Sequence, residues 1–486
     1  MTLVAPYWMI ATLRPLAEDS PMNKLALVAA ALLLIVLLAL PRVVGGITEA
    51  RVVERVAAID ANPQTAAELK SFERSWFRSR ARIELTFGPG AVAGSAGDMP
   101  LGVFITLPIV VEFAHGPIAV LNGVHFGWSQ LVARPDAEAP GIDELTETLG
   151  VPYIFEFRGR TGYLGSVEFD ADAPPFELPL DEALLRFSGA TLVGNFAAPH
   201  LRADAGIGSV ELASPTGTLA VRGMRAAADN ELRSQYVMPG AASFSVDSIS
   251  MIGPRGGTPV FEAANVRLAS DTAIDAAGEL LEVDLSYDVD TVRVAENEIT
   301  GATVAVAVRN LDAAAVAAYG AVATDAATSG GDPASIAASL GPHLERALRR
   351  GPSLTVDPIR FRYGGEPFDG RVEITTNTAR LPAAGTFSLD NPLLLAGLVN
   401  AKANVRVSKA LAADLATLAA RAQLGADPAI PPDQLDYMAE AQAGLVLTML
   451  TGQGVLIEEG DFYVSSVDYT DGAATLNGNA LPFGLP

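Results

Sequence analysis

One stretch of the chain has no polar position at all: Leu25 to Leu40 reads LALVAAALLLIVLLAL, with Lys24 before it and Pro41-Arg42 after it. A helix with no polar face belongs in lipid or in a core, not on a surface. Spanning a bilayer takes about 20 apolar residues. Val43 to Gly46 can extend the run, and Lys24 and Arg42 can carry their charged heads out to the interfaces. The pattern predicts a transmembrane anchor over 22–45. A cleaved signal peptide is the alternative, because Val44-Gly45-Gly46 offers small residues, but the run exceeds the usual apolar segment of about 7–15 residues. Residues 1–21 read as a short tail, and Met22-Asn23-Lys24 looks like an ordinary translation start.

After the anchor, 47–72 reads helical, with Val52, Val53, Val56 and Ala57 on one face and an interruption at Asn62-Pro63. From about residue 80 the period becomes two: Ile83, Leu85 and Phe87 alternate with polar neighbours until Gly88-Pro89-Gly90. Residues 101–113 form an apolar run whose Pro108 predicts an edge strand or two short strands. Short strand-like pieces then follow one another from Tyr153 to Val308, punctuated by Gly, Pro, Asp and Asn.

Near residue 310 the period changes. Asn310 and Asp312 can cap a helix to about Val322. A small-residue loop over 326–331 follows, then a helix capped by Asp332, with Pro333 at its first position and Gly351 just past its end. Leu354 to Thr375 returns to strands. Ser408 caps a helix carrying Leu411, Leu415 and Leu418, and a last helix covers about 433–450. The end reads as a hairpin turning at Asp471-Gly472.

The fold expected is α+β: a predominantly antiparallel, elongated and curved sheet with short helices packed on it, after one N-terminal transmembrane helix. The divisions expected are a 1–21 tail, a 22–45 anchor, a β-rich 46–310 region and an α+β 311–486 region.

Composition narrows the chemistry. Net charge is -23, from 33 Lys+Arg against 56 Asp+Glu, which opposes nucleic-acid binding. With no cysteine, disulfides, thiolate metal sites and a cysteine nucleophile are excluded. His115, His125, His200 and His343 are scattered, with no metal-binding pair. No phosphate loop, nucleophile elbow or dinucleotide fingerprint occurs, and the paired aspartates 170/172 and 288/290 lack the rest of a calcium loop. No catalytic, cofactor or metal residues are assigned, and the chain reads as a non-enzyme. The candidate interaction residues are Trp76, Phe77, His115 and Trp128. Exposed aromatics anchor partners, although Trp76-Phe77 and Trp128 read first as core plugs. His115, at a strand end, can titrate near neutrality, but reads first as a cap on a backbone carbonyl beside the Gly116-Pro117 turn.

Several segments occur in a telling order: Trp76-Phe77-Arg78-Ser79 before an alternating strand, His115-Gly116-Pro117-Ile118 after the next, LxxxLxxxLxxGPSLTVxPI from Leu340 to Ile359, strand-cap-helix over 400–418, and VDYxDGxxxLNG from Val467 on. In this order they resemble the YdgA-like family of bacterial envelope proteins of unknown function, from about Met22 to the C-terminus. The resemblance implies an inner-membrane protein with its large domain in the periplasm, leaves a homodimer open, and supplies no catalytic residues. Three functions are carried forward. The leading one is a scaffold or partner-binding module of the envelope. The second is lipid binding or transfer along an apolar groove, with the bilayer held through Leu25–Leu40. The third and weakest is a carboxylate hydrolase.

Overall fold

The computed structural model of the protein describes residues 21–60, 65–87, 105–234, 236–295, 297–329, 333–383, 397–424 and 431–481. A 22-stranded antiparallel sheet dominates it. Almost every strand pairs with the next in sequence, as expected of short runs joined by tight turns. The sheet is continuous across residue 310, where Ile299 to Arg309 pairs with Ser353 to Tyr363.

Helix α1 (Pro21–Asp60) runs unbroken through Pro41, and its side chains are described from Leu40 onward. Among the described residues, no helix is long and apolar enough to cross a membrane. The helix expected over 47–72 stops at Asp60, and the chain continues as strand Thr65–Arg74. Here the expectation failed because the strand's register shifts between Leu69 and Ser71. That bulge breaks the alternation of Ala67, Leu69 and Phe72 and hides a period of two. Asn62-Pro63 and Gly88-Pro89-Gly90 lie outside the described residues.

Pro108 likewise neither splits nor exposes its strand. Ile105–His115 is one strand, paired with Arg78–Phe87 on one side and Ser129–Pro135 on the other. The second pairing ends at Ile109, so Pro108 sits where that neighbour supplies no ladder bond, and its carbonyl accepts from the Asp136 N–H at 2.9 Å.

The later helices are legible from their ends. Asp312 caps α3 (Ala313–Ser329) by accepting from the Ala315 N–H at 2.8 Å. Asn310 does not cap; it stays in the strand with φ 59°. Helix α3 continues past Val322 to Ser329, so 326–329 of the expected 326–331 loop is helical; the Asp332 cap lies outside the described residues. Helix α4 spans Pro333–Arg349, and Gly351 follows it in the left-handed conformation, φ 67°. Ser408 Oγ accepts from the Leu411 N–H at 3.1 Å at the start of α5 (Lys409–Leu424), and α6 spans Pro432–Gly452. The short α2 (Ile142–Leu149) lies earlier in the chain. Asp471 and Gly472 both take positive φ in the final hairpin, as a two-residue turn requires.

The middle strands share an unusual slip. Their apolar positions alternate, then skip three: Ile207 to Val210, Met224 to Val221, Val246 to Ile249, Val266 to Ala263, Val289 to Val292 and Ala302 to Ile299. At that level the paired register lapses and resumes unchanged, as between Val246↔Val266 and Ser248↔Ala264. Alternate strands carry a left-handed residue there: Gly223 (φ 66°), Asn265 (φ 52°) and Gly301 (φ 58°). Each neighbouring strand takes one extra position together, so the apolar side chains return to the same face beyond the slip.

Candidate functional site: an apolar track and its N-terminal clasp

Strand alternation and register define one cross-strand row without a polar residue. It starts at Phe72 and passes through Ala81, Val111, Ala133, Phe157 and Ala171. It continues through Leu192, Ala205, Ala226, Phe244 and Leu268. Tyr287, Val304, Ile359, Gly370 and Val405 complete it. With neighbouring strands about 4.8 Å apart, the row is roughly 70 Å long. The row beside it is nearly as apolar, including Phe113, Leu131, Phe169, Leu285 and Val306. Phe169 lies across Gly194, where an added Cβ would meet its ring at 2.4 Å. In the middle of the sheet this face meets solvent: Phe244, Leu268 and Tyr287 are exposed although they stand in line.

The opposite face is a lattice of ion pairs. Arg202 reaches Asp229 at 2.8 Å, Arg225 grips Asp247 with two bonds of 3.0 Å, and Arg293 bridges Glu262 (2.9 Å) and Glu298 (2.6 Å). Arg309 binds Asp284 at 2.6 Å and Arg360 binds Asp369 at 2.7 Å.

Among the described residues, helices cover the track toward its ends and along one rim. Ala313, Val316 and Ala317 of α3 pack with Leu281, Ile274 and Leu311. Leu411 and Ala412 of α5 pack with Val407, Phe361 and Phe368. At the other end, Val44, Ile47, Val56 and Ile59 of α1 face Ile83, Val111 and Phe113 across a cleft of about 810 Å³, almost wholly apolar.

All four candidate residues named from sequence meet at this α1 end. The Phe77 carbonyl accepts from the His115 N–H (2.8 Å), and the Trp128 carbonyl accepts from the Gly116 N–H (2.7 Å). Trp76 and Phe77 are exposed, so they are not core plugs; they stand on a short turn between two strands. Trp128 is half-buried, with Nε1 donating to the Tyr163 carbonyl at 2.9 Å and its ring edge-on to Tyr163. His115 is 1% exposed and stacks on Phe113; its Nε2 lies 2.8 Å from Ser79 Oγ rather than on a carbonyl, and among the described residues Nδ1 has no partner. Helix α1 passes so close that a Cβ on Gly45 would stand 3.3 Å from the imidazole. Burial pushes the His115 pKa down.

The Ser79–His115 pair has the spacing of a nucleophile and its base. Both residues are buried, and among the described residues no carboxylate reaches Nδ1; the pair ties two neighbouring strands where α1 passes over His115. Among the described residues, no group of three or more His, Asp or Glu is placed to hold a metal. Sequence reasoning missed the track itself and the apolar loops around Phe126 and Leu164. The repeated three-residue skip was the available signal for the track.

Comparison with known proteins is narrow in what it returns. No curated protein and no solved structure matches the chain. Residues 22–483 match a family described as bacterial protein of unknown function (DUF945). The chain belongs to that bacterial family.

Proposed function

We propose that this protein is a non-enzymatic bacterial envelope protein that holds lipid acyl chains along its apolar sheet face. In this reading Leu25–Leu40 anchors it in the inner membrane, and the sheet stands in the periplasm. The observation that carries the reading is the unbroken apolar row from Phe72 to Val405, open to solvent at Phe244, Leu268 and Tyr287. A face of this extent is more than a folded chain leaves in water without an occupant. An acyl chain suits it, being long, narrow and indifferent to side-chain detail. The uncharged Leu25–Leu40 run supports the anchor, and the YdgA-like resemblance supports the periplasm.

The test is a photo-crosslinking residue placed at Leu268 or at its neighbour Arg267, in the full chain expressed in a bacterial envelope. Lipid adducts at 268 and none at 267, read by mass spectrometry, are expected. Protein adducts alone at 268 would favour the scaffold reading, which the same exposed face also permits.

A further inference from the structure

Three loops at the α1 end carry large apolar side chains that are exposed among the described residues. They are the Ser75–Arg78 turn, the segment Gly116–Trp128 with its two-stranded hairpin, and the turn Arg160–Ser166. Phe126 is 67% exposed and Leu164 fully exposed, and Trp76, Val124 and Tyr163 are exposed beside them. The loops are tied into one platform. The Tyr163 hydroxyl donates to the Pro117 carbonyl, Arg78 donates to the Val120 carbonyl at 3.1 Å, and His125 Nε2 lies 3.2 Å from the Thr161 carbonyl.

Two further features select the occupant. In a chain with 56 acidic residues, these three loops contain none, while Arg78 and Arg160 flank them. The apolar run of α1 ends at Leu40, and Arg42 directly after it sits over the Trp76 ring at 5.4 Å. The platform therefore adjoins the point where the run ends. Aromatic and aliphatic side chains with arginines and no carboxylates are the chemistry of a bilayer's interfacial layer, where tryptophan and tyrosine rings collect.

We propose that this platform rests in the interfacial layer of the phospholipid bilayer beside α1, so that the cleft between α1 and Phe113 opens toward the acyl region and admits chains to the track. The docking rests on the anchor of the reading above, and the admission step also on its lipid-carrying part.

The absence of cysteine makes a single label specific. The full chain carrying Leu164→Cys, or Thr216→Cys on a distant turn, is labelled with a polarity-sensitive fluorophore. It is reconstituted into vesicles of phosphatidylethanolamine and phosphatidylglycerol, with or without bromine on the acyl chains. Bromine is expected to quench position 164 about twofold, as for an interfacial side chain, and to leave 216 unchanged. Adding Phe126→Asp and Val124→Asp should abolish the quenching. An unquenched label at 164 overturns the proposal, whether it reports water or a covering protein, and so does failure of the protein to float with the vesicles. The crosslinker at Leu268 separates the two readings. Adducts there without quenching at 164 leave the track standing and remove the platform. Quenching at 164 without such adducts does the reverse.

Discussion

The two faces of the sheet are built by the same strands yet solve opposite problems. On one, arginines and carboxylates from neighbouring strands satisfy each other in water, as Arg225 does with Asp247. On the other, Phe244, Leu268 and Tyr287 line up without a cover. Most antiparallel sheets bury their apolar face against a second layer. Here, among the described residues, helices occupy the ends and one rim, and the middle is left open. The contrast separates residues that hold the fold from residues free to hold something else.

The first way to sharpen that contrast is to compare a covered position with an open one. Leu411, on the inner side of α5, is fully buried against the sheet, so Leu411→Ala is expected to lower unfolding stability by about 2–5 kcal/mol, the range for a buried leucine. Phe244→Ala, on the open face, should lose only about 1–2 kcal/mol, since 42% of the residue is already exposed. Urea titration of both variants checks the difference, and equal losses would mean that the middle of the track is covered after all.

The second is to put a charge on the track. Leu268→Asp is expected to reduce lipid recovered with the purified chain about tenfold, since a carboxylate next to an acyl chain is poorly solvated. Ser245→Asp on the opposite face should leave it unchanged; quantitative lipid mass spectrometry reads both.

The third concerns the Ser79–His115 pair. Because burial depresses the His115 pKa below the ordinary value of about 6.5, the unfolded chain takes up that proton first as pH falls. The contribution of His115 to stability is complete above about pH 6.5 and is lost below it, down to the folded value. His115→Gln should remove this part of the pH slope in urea unfolding measured from about pH 8 to about pH 5. A slope unchanged in that variant would place its origin elsewhere.

The smallest effect belongs to the ion-pair face. Arg225→Ala should change stability by no more than about 1 kcal/mol, the scale of exposed pairs, and the difference should shrink as salt is raised.

Local signals were legible where they act locally. Asp312 and Ser408 cap helices as their positions suggest, Gly351 ends α4, and Asp471-Gly472 turns the last hairpin. The bulge after Leu69 was not legible, because one unpaired residue makes a strand look aperiodic. Pro108 misled because its tolerance depends on where a neighbouring strand happens to end. The four candidate residues did converge, but the exposure of Trp76 and the Ser79 partner of His115 are set by contacts across many residues. The track needed the register of every strand at once; no single strand announces that its apolar positions join those of all the others.

The next-neighbour pairing of the strands makes the sheet's reach adjustable. From His200 to Asp312 each hairpin contributes two strands to the span, about 10 Å, and pairs with its sequence neighbours. Adding or deleting one would change the distance bridged while the rows on both faces join up again across the gap. In a sheet made this way, length scales with the number of hairpins in the gene.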